Sequence, residues 1–293
     1  MQTAAIACHG VKKSYSHFEL GPLDLDVPKG SVMGFVGPNG AGKSTTMRIC
    51  MGLVRPDAGE VTVLGHDMPA QQVQAKSGIG FVSEDMRLYG GKSLGFHMNF
   101  MSQIYDDWDQ QYAEALLDRF DLKADQAPKG YSHGQRVKAM LVLAMARKPK
   151  LLILDEPTTG LDPVARHETL HQMMDALADE ERTILFSSHN TLDVEQISDN
   201  ITFILDGQLL VSEDKESFLE RWRRLRFEGD LPADLETCSE VSSGRQTIVT
   251  TDQFSESSLA KWQESGQAPS VIERLTLEEI FLACVARSKE TSQ

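Results

Sequence analysis

The chain has 293 residues, of which 41% are apolar and 25% are charged, a composition typical of a soluble globular protein and not of a disordered one. Its length suits one large domain with a smaller addition. Acidic residues outnumber basic ones by 43 to 29, and the resulting formal net charge of −14 argues against broad, non-specific binding of nucleic acid.

The sequence predicts no membrane segment and no secretory leader. Its longest apolar runs, AMLVLAMA at 139–146 and LLIL at 151–154, are much shorter than the roughly 20 residues that cross a bilayer. The first residues, MQTAAIACHGVKK, lack the charged start and apolar core of a signal peptide. The four cysteines are widely spaced and form no CxxC pair, which suits a reducing compartment and gives no support for a zinc site. We therefore expect a cytoplasmic chain.

Predicted strands alternate with helices through the first part of the chain. The elements, in order, are a strand at 31–37, a helix at 43–53, and strands at 61–65 and 78–83. A mostly helical stretch follows, in which four apolar side chains recur every four residues: Trp108, Tyr112, Leu116 and Phe120. This spacing predicts one buried helix face, and hence the core of a helical subdomain at about 85–147.

Beyond residue 150 the pattern is that of buried parallel strands. LLILD at 151–155 and TILFSSH at 183–189 are apolar up to their polar ends. ITFILDGQLLV at 201–211 predicts a hairpin whose turn is Asp206-Gly207. Strands that alternate with helices favour a parallel sheet covered on both faces, so the predicted fold class is α/β.

The composition changes after about residue 215, where we predict a small α+β unit at 216–293. QTIVTT at 246–251 predicts a strand, and Thr276 and Glu279 have the spacing of a capping box before an apolar helix. The unit also carries a basic cluster: Arg221, Arg223, Arg224 and Arg226. We interpret this cluster as a solvated strand edge, with contact to lipid headgroups or to a partner as the alternative.

The segment GPNGAGKS at 37–44 matches G-x-x-x-x-G-K-[ST] between a predicted strand and a predicted helix. Glycines let consecutive backbone N–H groups turn toward one concavity, which binds phosphate oxygens together with the positive helix N-terminus. Lys43 then reaches the β- and γ-phosphates, and the Ser44 hydroxyl ligates Mg²⁺. Because the strand and helix are both in place, an incidental glycine turn is a weak alternative.

A second candidate site is LLILDEP at 151–157. Asp155 ends a buried strand at its carboxyl end, where an acidic residue can hold Mg²⁺ directly or through water. Pro157 predicts an extended backbone at the preceding Glu156, whose carboxylate can orient and deprotonate an attacking water. Two solvated acids at a strand end are the structural alternative, which the upstream phosphate loop makes less plausible.

With these motifs in this order, the chain resembles the ATP-binding subunits of ABC transporters over about residues 1–215. That family carries an aromatic residue, a P-loop, a glutamine loop, an LSGGQ-type signature, an aspartate-ended strand, a D-loop and a switch histidine. The matching features here are Tyr15, GPNGAGKST (37–45), Glu84, YSHGQ (131–135), LLILDEP (151–157), GLD (160–162) and His189. The closing segment LTLEEIFLACV is similar to the tail of export-type members, including antibiotic and drug exporters.

The resemblance implies a P-loop NTPase (RecA-like) core with antiparallel β and helical subdomains. It also implies that Tyr15 stacks on adenine, that Asp162 lies at a subunit interface, and that His189 hydrogen-bonds the γ-phosphate. The residues expected to bind nucleotide are Tyr15, Gly37, Pro38, Asn39, Gly40, Ala41, Gly42, Lys43, Ser44, Thr45, Ser132, Gly134, Gln135 and Asp162. The expected metal ligands are Ser44, Glu84 and Asp155, and the expected catalytic residues are Glu156 and His189.

Two positions depart from the family pattern. Glu84 stands where the family usually has glutamine, and it offers Mg²⁺ two oxygens and a negative charge instead of one carbonyl oxygen. A solvated loop acid is the alternative for Glu84, and Asp85 is a neighbouring candidate. His133 occupies the first glycine position of the signature.

We predict that the signature loop works despite His133. Ser132 is placed to cap a helix or contact phosphate, and Gly134 leaves the backbone open to close approach. The helix that continues from there would direct its dipole at the anion. We expect the His133 side chain to point away while its N–H donates. A sharper hypothesis is that protonated His133 adds charge near the phosphate, and an unchanged pH dependence of ATP affinity in His133→Gly would refute it.

These features predict a cytosolic ATPase subunit that is peripheral on the inner face of the membrane. We expect it to dimerise around two Mg-ATP and to drive a permease on a separate chain, with export as the expected direction. The dimer partner can be an identical or a related subunit. A soluble ABC-type ATPase acting on ribosomes or DNA is the main alternative, disfavoured by the acidity and by the lack of a second nucleotide domain or long coiled coil. A non-catalytic nucleotide-binding regulator is the third alternative. Four intact residues count against it: Lys43, Asp155, Glu156 and His189.

Overall fold

The computed structural model of the chain describes residues 4–177, 182–243 and 246–291. The chain divides into two compact units between Leu209 and Leu210. Within the described ranges, no helix is long and apolar enough to cross a bilayer.

The first unit alternates strands and helices. Its strands are β1 (Ala4–Tyr15), β2 (Phe18–Pro28), β3 (Val32–Val36), β4 (Ala58–Val63), β5 (His66–Asp67), β6 (Ile79–Ser83), β7 (Leu151–Asp155), β8 (Thr183–Ser188) and β9 (Asn200–Leu205), with β10 (Gln208–Asp214) following at the boundary. Its helices are α1 (Lys43–Cys50), α2 (Gln72–Ser77), α3 (Leu94–Ile104), α4 (Gln110–Arg119), α5 (His133–Met145), α6 (Pro163–Leu177) and α7 (Thr191–Ile197).

The central sheet has the strand order β10-β9-β3-β8-β7-β6. β3 pairs in parallel with both β8 and β9, and β7 pairs in parallel with both β6 and β8. Every residue of β7 and β8 is buried, as expected for strands covered on both faces. The α/β class and the parallel strands are confirmed. The carboxyl ends of β3, β7 and β8 therefore meet along one edge of the sheet.

A second, antiparallel sheet has the order β2-β1-β4-β5. In β2, Leu23, Leu25 and Val27 are buried while Asp24 and Asp26 between them are exposed, so one face of the strand joins the core. This core also contains two cysteines far apart in the sequence, Cys8 and Cys50, whose Sγ atoms lie 3.9 Å apart as free thiols.

The predicted hairpin after residue 200 is confirmed. Asp206 and Gly207 have φ of 46° and 79°, and they connect β9 to β10 in a two-residue turn. Positive φ at both central positions gives the backbone the twist that short hairpins require.

The predicted helix face at 108–120 is partly wrong. The helix α4 begins only after Asp109, whose carboxylate accepts a hydrogen bond from the Tyr112 N–H at 2.8 Å, so Trp108 lies before the helix. The buried face consists of Ala113, Leu116, Leu117 and Phe120. Tyr112 is half-buried. The Asp109 cap set the helix start, and the buried positions then follow the i, i+3, i+4 spacing of that helix.

The second unit is a small α+β structure. Its elements are α8 (Lys215–Arg221), β11 (Arg223–Glu228), β12 (Ser239–Ser243), β13 (Gln246–Thr251), α9 (Glu256–Glu264), β14 (Val271–Arg274) and α10 (Leu277–Thr291). The sheet has the order β12-β13-β11-β14, with a core formed by Leu225, Phe227, Val249, Phe254 and Trp262. The predicted strand at 246–251 is confirmed, and the domain boundary at 215/216 stays a prediction.

The interpretation of the arginine cluster as a strand edge is wrong. β11 is an inner strand, because it pairs with β13 on one side and β14 on the other. Arg223 is buried and donates to the Leu219 and Trp222 carbonyls at 2.9 and 2.7 Å. Arg224 donates to Glu279 at 3.0 Å. The cluster was misassigned because the sequence did not reveal which strands flank β11.

Candidate active site

The loop between β3 and α1 is built to leave its centre open. Gly40 and Gly42 have φ of 84° and 112°, a region that glycine adopts without the penalty of a Cβ. A Cβ placed on Gly40 would meet no atom within 4 Å. Among the described residues, α1 receives no side-chain capping hydrogen bond at its N-cap Gly42. This helix start therefore fits an anion, which its N–H groups and dipole favour.

Lys43 begins α1 and is only 5% exposed. Its Nζ donates to the carbonyl oxygens of Gly37 at 2.7 Å and Pro38 at 3.1 Å. The same Nζ lies 3.0 Å from Oε1 of Glu156. A buried ammonium thus sits between the phosphate loop and the end of β7, in the position from which a lysine can contact a triphosphate.

Ser44 and Asp155 come together where the loop meets the end of β7. The Ser44 hydroxyl donates to Oδ1 of Asp155 at 3.0 Å. Ser187, on β8, donates to the same oxygen at 2.8 Å. These are hard oxygen ligands of the kind that Mg²⁺ prefers, and a magnesium site usually takes few protein ligands because substrate phosphates and water supply the rest.

Ser187 was missed by the sequence reasoning. Besides its bond to Asp155, its Oγ accepts a hydrogen bond from the Glu156 N–H at 2.9 Å, so it contacts the carboxylate of Asp155 and the backbone of Glu156. The available signal was a serine in an otherwise apolar strand, TILFSS, two residues before His189. A hydroxyl in a buried strand needs a polar partner.

The two carboxylate oxygens of Glu156 have different partners. Its Oε2 accepts hydrogen bonds from the Thr159 hydroxyl at 2.7 Å and from His189 Nδ1 at 2.8 Å. Its Oε1 is buried and forms an ion pair with the Lys43 ammonium at 3.0 Å, without a well-directed hydrogen bond among the described residues. If Lys43 moves away, this buried acceptor needs another donor, such as a water molecule or a ligand.

The charge state of Glu156 follows from these contacts. Burial raises the pKa of Glu156, but hydrogen bonds from Thr159 and His189 and the charge of Lys43 outweigh it, so the pKa lies below its usual range. Glu156 is therefore ionised at neutral pH, the form in which a carboxylate can accept a proton.

The predicted extended backbone at Glu156 is wrong. Its φ is 53°, in the left-handed region, where a non-glycine residue costs roughly 1–3 kcal/mol. The hydrogen bond from its N–H to Ser187 fixes this conformation, and the side chain can then reach both Lys43 and His189. Tertiary contacts thus override the local preference of a residue before proline.

The structure also brings the two departures from the family pattern together. Glu84 and His133 line the same cavity of about 150 Å³, together with Arg136 and Glu156. The Glu84 N–H donates to the Asp155 carbonyl at 3.2 Å, while its side chain is exposed. Its neighbour Asp85 is paired with Arg48 instead. Metal ligation by Glu84 stays a prediction.

The loop YSHGQ forms the start of α5. The Gln135 N–H donates to the Ser132 hydroxyl at 3.2 Å, and the Ser132 N–H donates to the Gln135 side chain at 3.0 Å, which is a complete capping box. Gly134 is buried, and a Cβ there would lie 3.3 Å from Leu161. In the described part of the chain, no hydrogen bond joins this loop to the phosphate loop at 37–45.

Two further predicted residues lie at the ends of elements. Tyr15 is 47% exposed at the end of β1, its ring stacked on Phe18 with centroids 6.4 Å apart. Phe18 in turn lies near Gly42, since a Cβ on that glycine would be 3.1 Å from its ring. Asp162 caps α6 by accepting from the Val164 and Ala165 N–H groups at 3.0 Å. Roles in adenine stacking and at an interface stay predictions.

A buried carboxylate that the sequence reasoning missed connects the two loops beside Glu156. Asp193 accepts from the Thr158 hydroxyl at 2.6 Å and from the Ser188 hydroxyl at 3.3 Å. Thr158 follows β7 and Ser188 ends β8, so Asp193 connects the segments that carry Glu156 and His189.

Comparison with known proteins gives a consistent result. The family model described as ABC transporter matches residues 20–159. The chain is 32% identical over 219 residues to the Nod factor export ATP-binding protein I of Cupriavidus metallidurans, covering 73% of this chain and 72% of that protein. It is 35% identical over 236 residues to the daunorubicin/doxorubicin resistance ATP-binding protein DrrA of Streptomyces peucetius, covering 77% and 71%. A solved structure described as an ATP-binding subunit of an ABC transporter matches with a TM-score of 0.65 and 26% identity, over 74% of this chain and 92% of that one.

Proposed function

The chain belongs to the ABC transporter family as an ATP-binding subunit with ATPase activity coupled to transport, and from this premise we propose that it dimerises around two Mg-ATP and powers a membrane permease on a separate chain. The observation that carries the proposal is the arrangement of Lys43, Glu156 and His189 at one edge of the central sheet. Such sites catalyse phosphoryl transfer mainly by positioning and by charge stabilisation.

Glu156 would act as the general base toward the attacking water. Its ionised carboxylate is oriented by Thr159 and His189 through Oε2, and its Oε1 would be free to accept a proton from water once Lys43 no longer pairs with it. Lys43 would leave this carboxylate for the β- and γ-phosphates when nucleotide enters. His189 contacts Glu156 through Nδ1, and its other ring nitrogen would contact a γ-phosphate oxygen.

Ser44 and Asp155 are the residues that would hold Mg²⁺, because their oxygens already lie 3.0 Å apart at the end of β7. Glu84 would be a third ligand from the neighbouring strand end, where its backbone is bonded to Asp155. Mg²⁺ held by these residues would supply positive charge that offsets the charge of the phosphates during phosphoryl transfer. Tyr15 would stack on adenine at the exposed end of β1.

Dimerisation would complete the site. Ser132, Gly134 and Gln135 form the start of a 13-residue helix whose first turn holds no acidic residue, and their hydrogen bonds do not involve the chain's own phosphate loop. The signature of one copy would therefore face the phosphate loop of the other, with reciprocal contacts and Asp162 at the interface. The partner can equally be a related subunit.

Export is the proposed direction of transport. Support comes from the relatives, one of which is named for Nod factor export and another for resistance to daunorubicin and doxorubicin. A peripheral position at the inner membrane face follows from a permease partner. Fractionation would test it, since the chain should sediment with membranes only when the permease is present.

The decisive experiment is the solution mass of Glu156→Gln, measured by light scattering with and without Mg-ATP. Gln is isosteric but accepts no proton, so hydrolysis should stop and the nucleotide-bound dimer should accumulate. The control is the double variant Glu156→Gln with Lys43→Ala. It lacks the lysine that would bind phosphate, so it should stay monomeric. If Glu156→Gln binds a fluorescent ATP analogue yet remains monomeric, dimerisation by the chain alone is wrong.

A further inference from the structure

Helix α6 carries a pair of histidines that the nucleotide site does not use. The helix contains the sequence HETLH at 167–171, so His167 and His171 are four residues apart. In an α-helix this spacing places two side chains on one face, one turn apart. The structure shows both side chains exposed, with ring centroids 4.2 Å apart and ring planes at 68° to each other.

The opposite face of α6 fixes the helix in place. Thr169, Leu170 and Met173 are each at most 2% exposed, and α6 packs on α4, α5 and α7. Because this buried face holds the backbone, the two imidazoles are presented to solvent by a supported helix. Within the described residues, neither histidine makes a hydrogen bond or an ion pair, and their ring nitrogens are available to a ligand.

The chemistry of this pair selects a class of ligand. Neutral imidazole nitrogen is a ligand for zinc, copper and nickel, whereas magnesium and calcium take oxygen ligands. Two histidines at i and i+4 on one helix face are also the spacing at which the H-E-x-x-H pattern binds zinc. Because both side chains are exposed, they can rotate so that both rings address one ion.

We infer that His167 and His171 form a binding site for a divalent transition metal, with Zn²⁺ as its representative ligand. The two imidazoles supply the protein ligands and water completes a tetrahedral shell. Glu168 lies between them in sequence and is exposed, so its carboxylate is available to accept a hydrogen bond from a metal-bound water.

The site binds metal and does not hydrolyse peptides. A catalytic zinc centre takes three protein ligands and one open position. In the described part of the chain, no third histidine, cysteine, aspartate or glutamate joins the pair in a metal-binding group. The effect of the ion is instead structural: it links two consecutive turns of the helix that begins directly after Asp162.

The test of this site is a measurement of Zn²⁺ binding to the tag-free 293-residue chain. Isothermal titration calorimetry without nucleotide measures how many Zn²⁺ ions each chain binds. The cysteines, the carboxylates and the remaining histidines of the chain can also bind zinc, so the informative quantity is the difference in bound zinc between variants. His167→Gln and His171→Gln should each lower the bound Zn²⁺ by about one ion per chain, because one remaining imidazole does not chelate. His9→Gln is the matched control, since it removes an exposed histidine of β1 that lies outside the pair.

Thermal unfolding provides the second measurement. Zn²⁺ should raise the Tm of the wild-type chain and of His9→Gln, and EDTA should reverse the increase. The Tm of His167→Gln and of His171→Gln should rise less with Zn²⁺, because the ion no longer bridges the two histidines. Circular dichroism checks that the variants keep their helices. Equal zinc stoichiometry and equal zinc-dependent Tm in all four proteins would overturn the inference.

Discussion

Two helices of this chain begin with the same capping box, one in each unit. At α5, the Ser132 N–H donates to Gln135 at 3.0 Å and the Gln135 N–H donates back at 3.2 Å. At α10, the Thr276 N–H donates to Glu279 at 2.9 Å and the Glu279 N–H donates to the Thr276 hydroxyl at 3.3 Å. The local geometry is nearly the same, and in both cases the box satisfies helix N–H groups that have no partner within the helix.

The surroundings of the two boxes differ. The α5 box has a neutral glutamine and a buried glycine after the capping serine, so its helix start carries no negative charge. The α10 box has Glu279, whose carboxylate also accepts from Arg224 at 3.0 Å. A carboxylate at a helix start occupies the place that a phosphate would take. The capping box at α10 therefore stabilises the helix. The box at α5 also stabilises its helix, but it leaves the helix N-terminus able to bind an anion.

The largest expected effect is on ATP turnover, and it should differ between a lysine of the first unit and a lysine of the second. Lys43→Ala removes the buried cation that contacts the phosphate loop and should lower ATP turnover by about 10²–10³-fold, as expected for loss of a group that stabilises transition-state charge. Lys261→Ala, an exposed lysine of α9, should leave turnover unchanged. Steady-state phosphate release measures both. Comparable losses in the two variants would contradict the assignment of the site to the first unit.

A smaller effect tests the two boxes directly. Ser132→Ala and Thr276→Ala each remove one capping hydroxyl, and each should cost about 1 kcal/mol of unfolding free energy. Only Ser132→Ala should also lower ATP turnover, by about 10–100-fold, because a hydrogen bond to a charged group contributes about 1.5–3 kcal/mol.

Thermal unfolding and phosphate release on the same samples distinguish the two contributions. Thr276→Ala serves as the control for loss of a cap. If both variants lose stability and neither loses ATP turnover, both boxes are structural only, and the proposed difference between them is wrong.

The smallest effect concerns the charge at α10. The pKa of Glu279 lies below its usual range. The main cause is the hydrogen bond from the Thr276 N–H, and the hydrogen bond from Arg224 adds to it. A lowered folded-state pKa stabilises the fold above the unfolded pKa of about 4.3, and the stabilisation is lost as the pH falls through the folded value. Glu279→Gln keeps a box like that of α5 but loses the charge, so it should cost only about 0.2–1 kcal/mol at pH 7.

Chemical denaturation of both proteins from pH 7 to pH 3 measures this difference. The gap between wild type and Glu279→Gln should close as the pH falls below about 4.3. A gap that stays constant with pH would show that the charge of Glu279 contributes nothing.

Much of the site was predictable because its signals are local. The phosphate loop is a contiguous pattern with two glycines at positive φ, and Asp155 ends a strand of four consecutive apolar residues. The two capping boxes are four-residue patterns. Each depends on groups close together in the chain, so residue type and spacing were sufficient.

Two of the three errors concern features that distant residues decide, and the third, at Trp108, is local. Glu156 has a positive φ because Ser187, 31 residues away, holds its N–H. The arginines of β11 lie on an inner strand because β13 and β14 pair on either side of it. Trp108 lies outside α4 because Asp109 caps the helix. Neither the Ser187 bond nor the strand order is visible in a short stretch of sequence.

The sequence by itself determined the fold class, the phosphate loop, the acidic strand end and the start of α5, because backbone preferences and hydrophobic periodicity act over a few residues. Only the tertiary structure decided which oxygen of Glu156 accepts the hydrogen bonds, that Ser187 contacts both Asp155 and the Glu156 backbone, and that Glu84 and His133 share one cavity. The physical reason is strand order. Parallel pairing of β3, β8 and β7 brings three loops from distant parts of the chain to one edge, and a hydrogen bond forms only where such groups meet within about 3 Å.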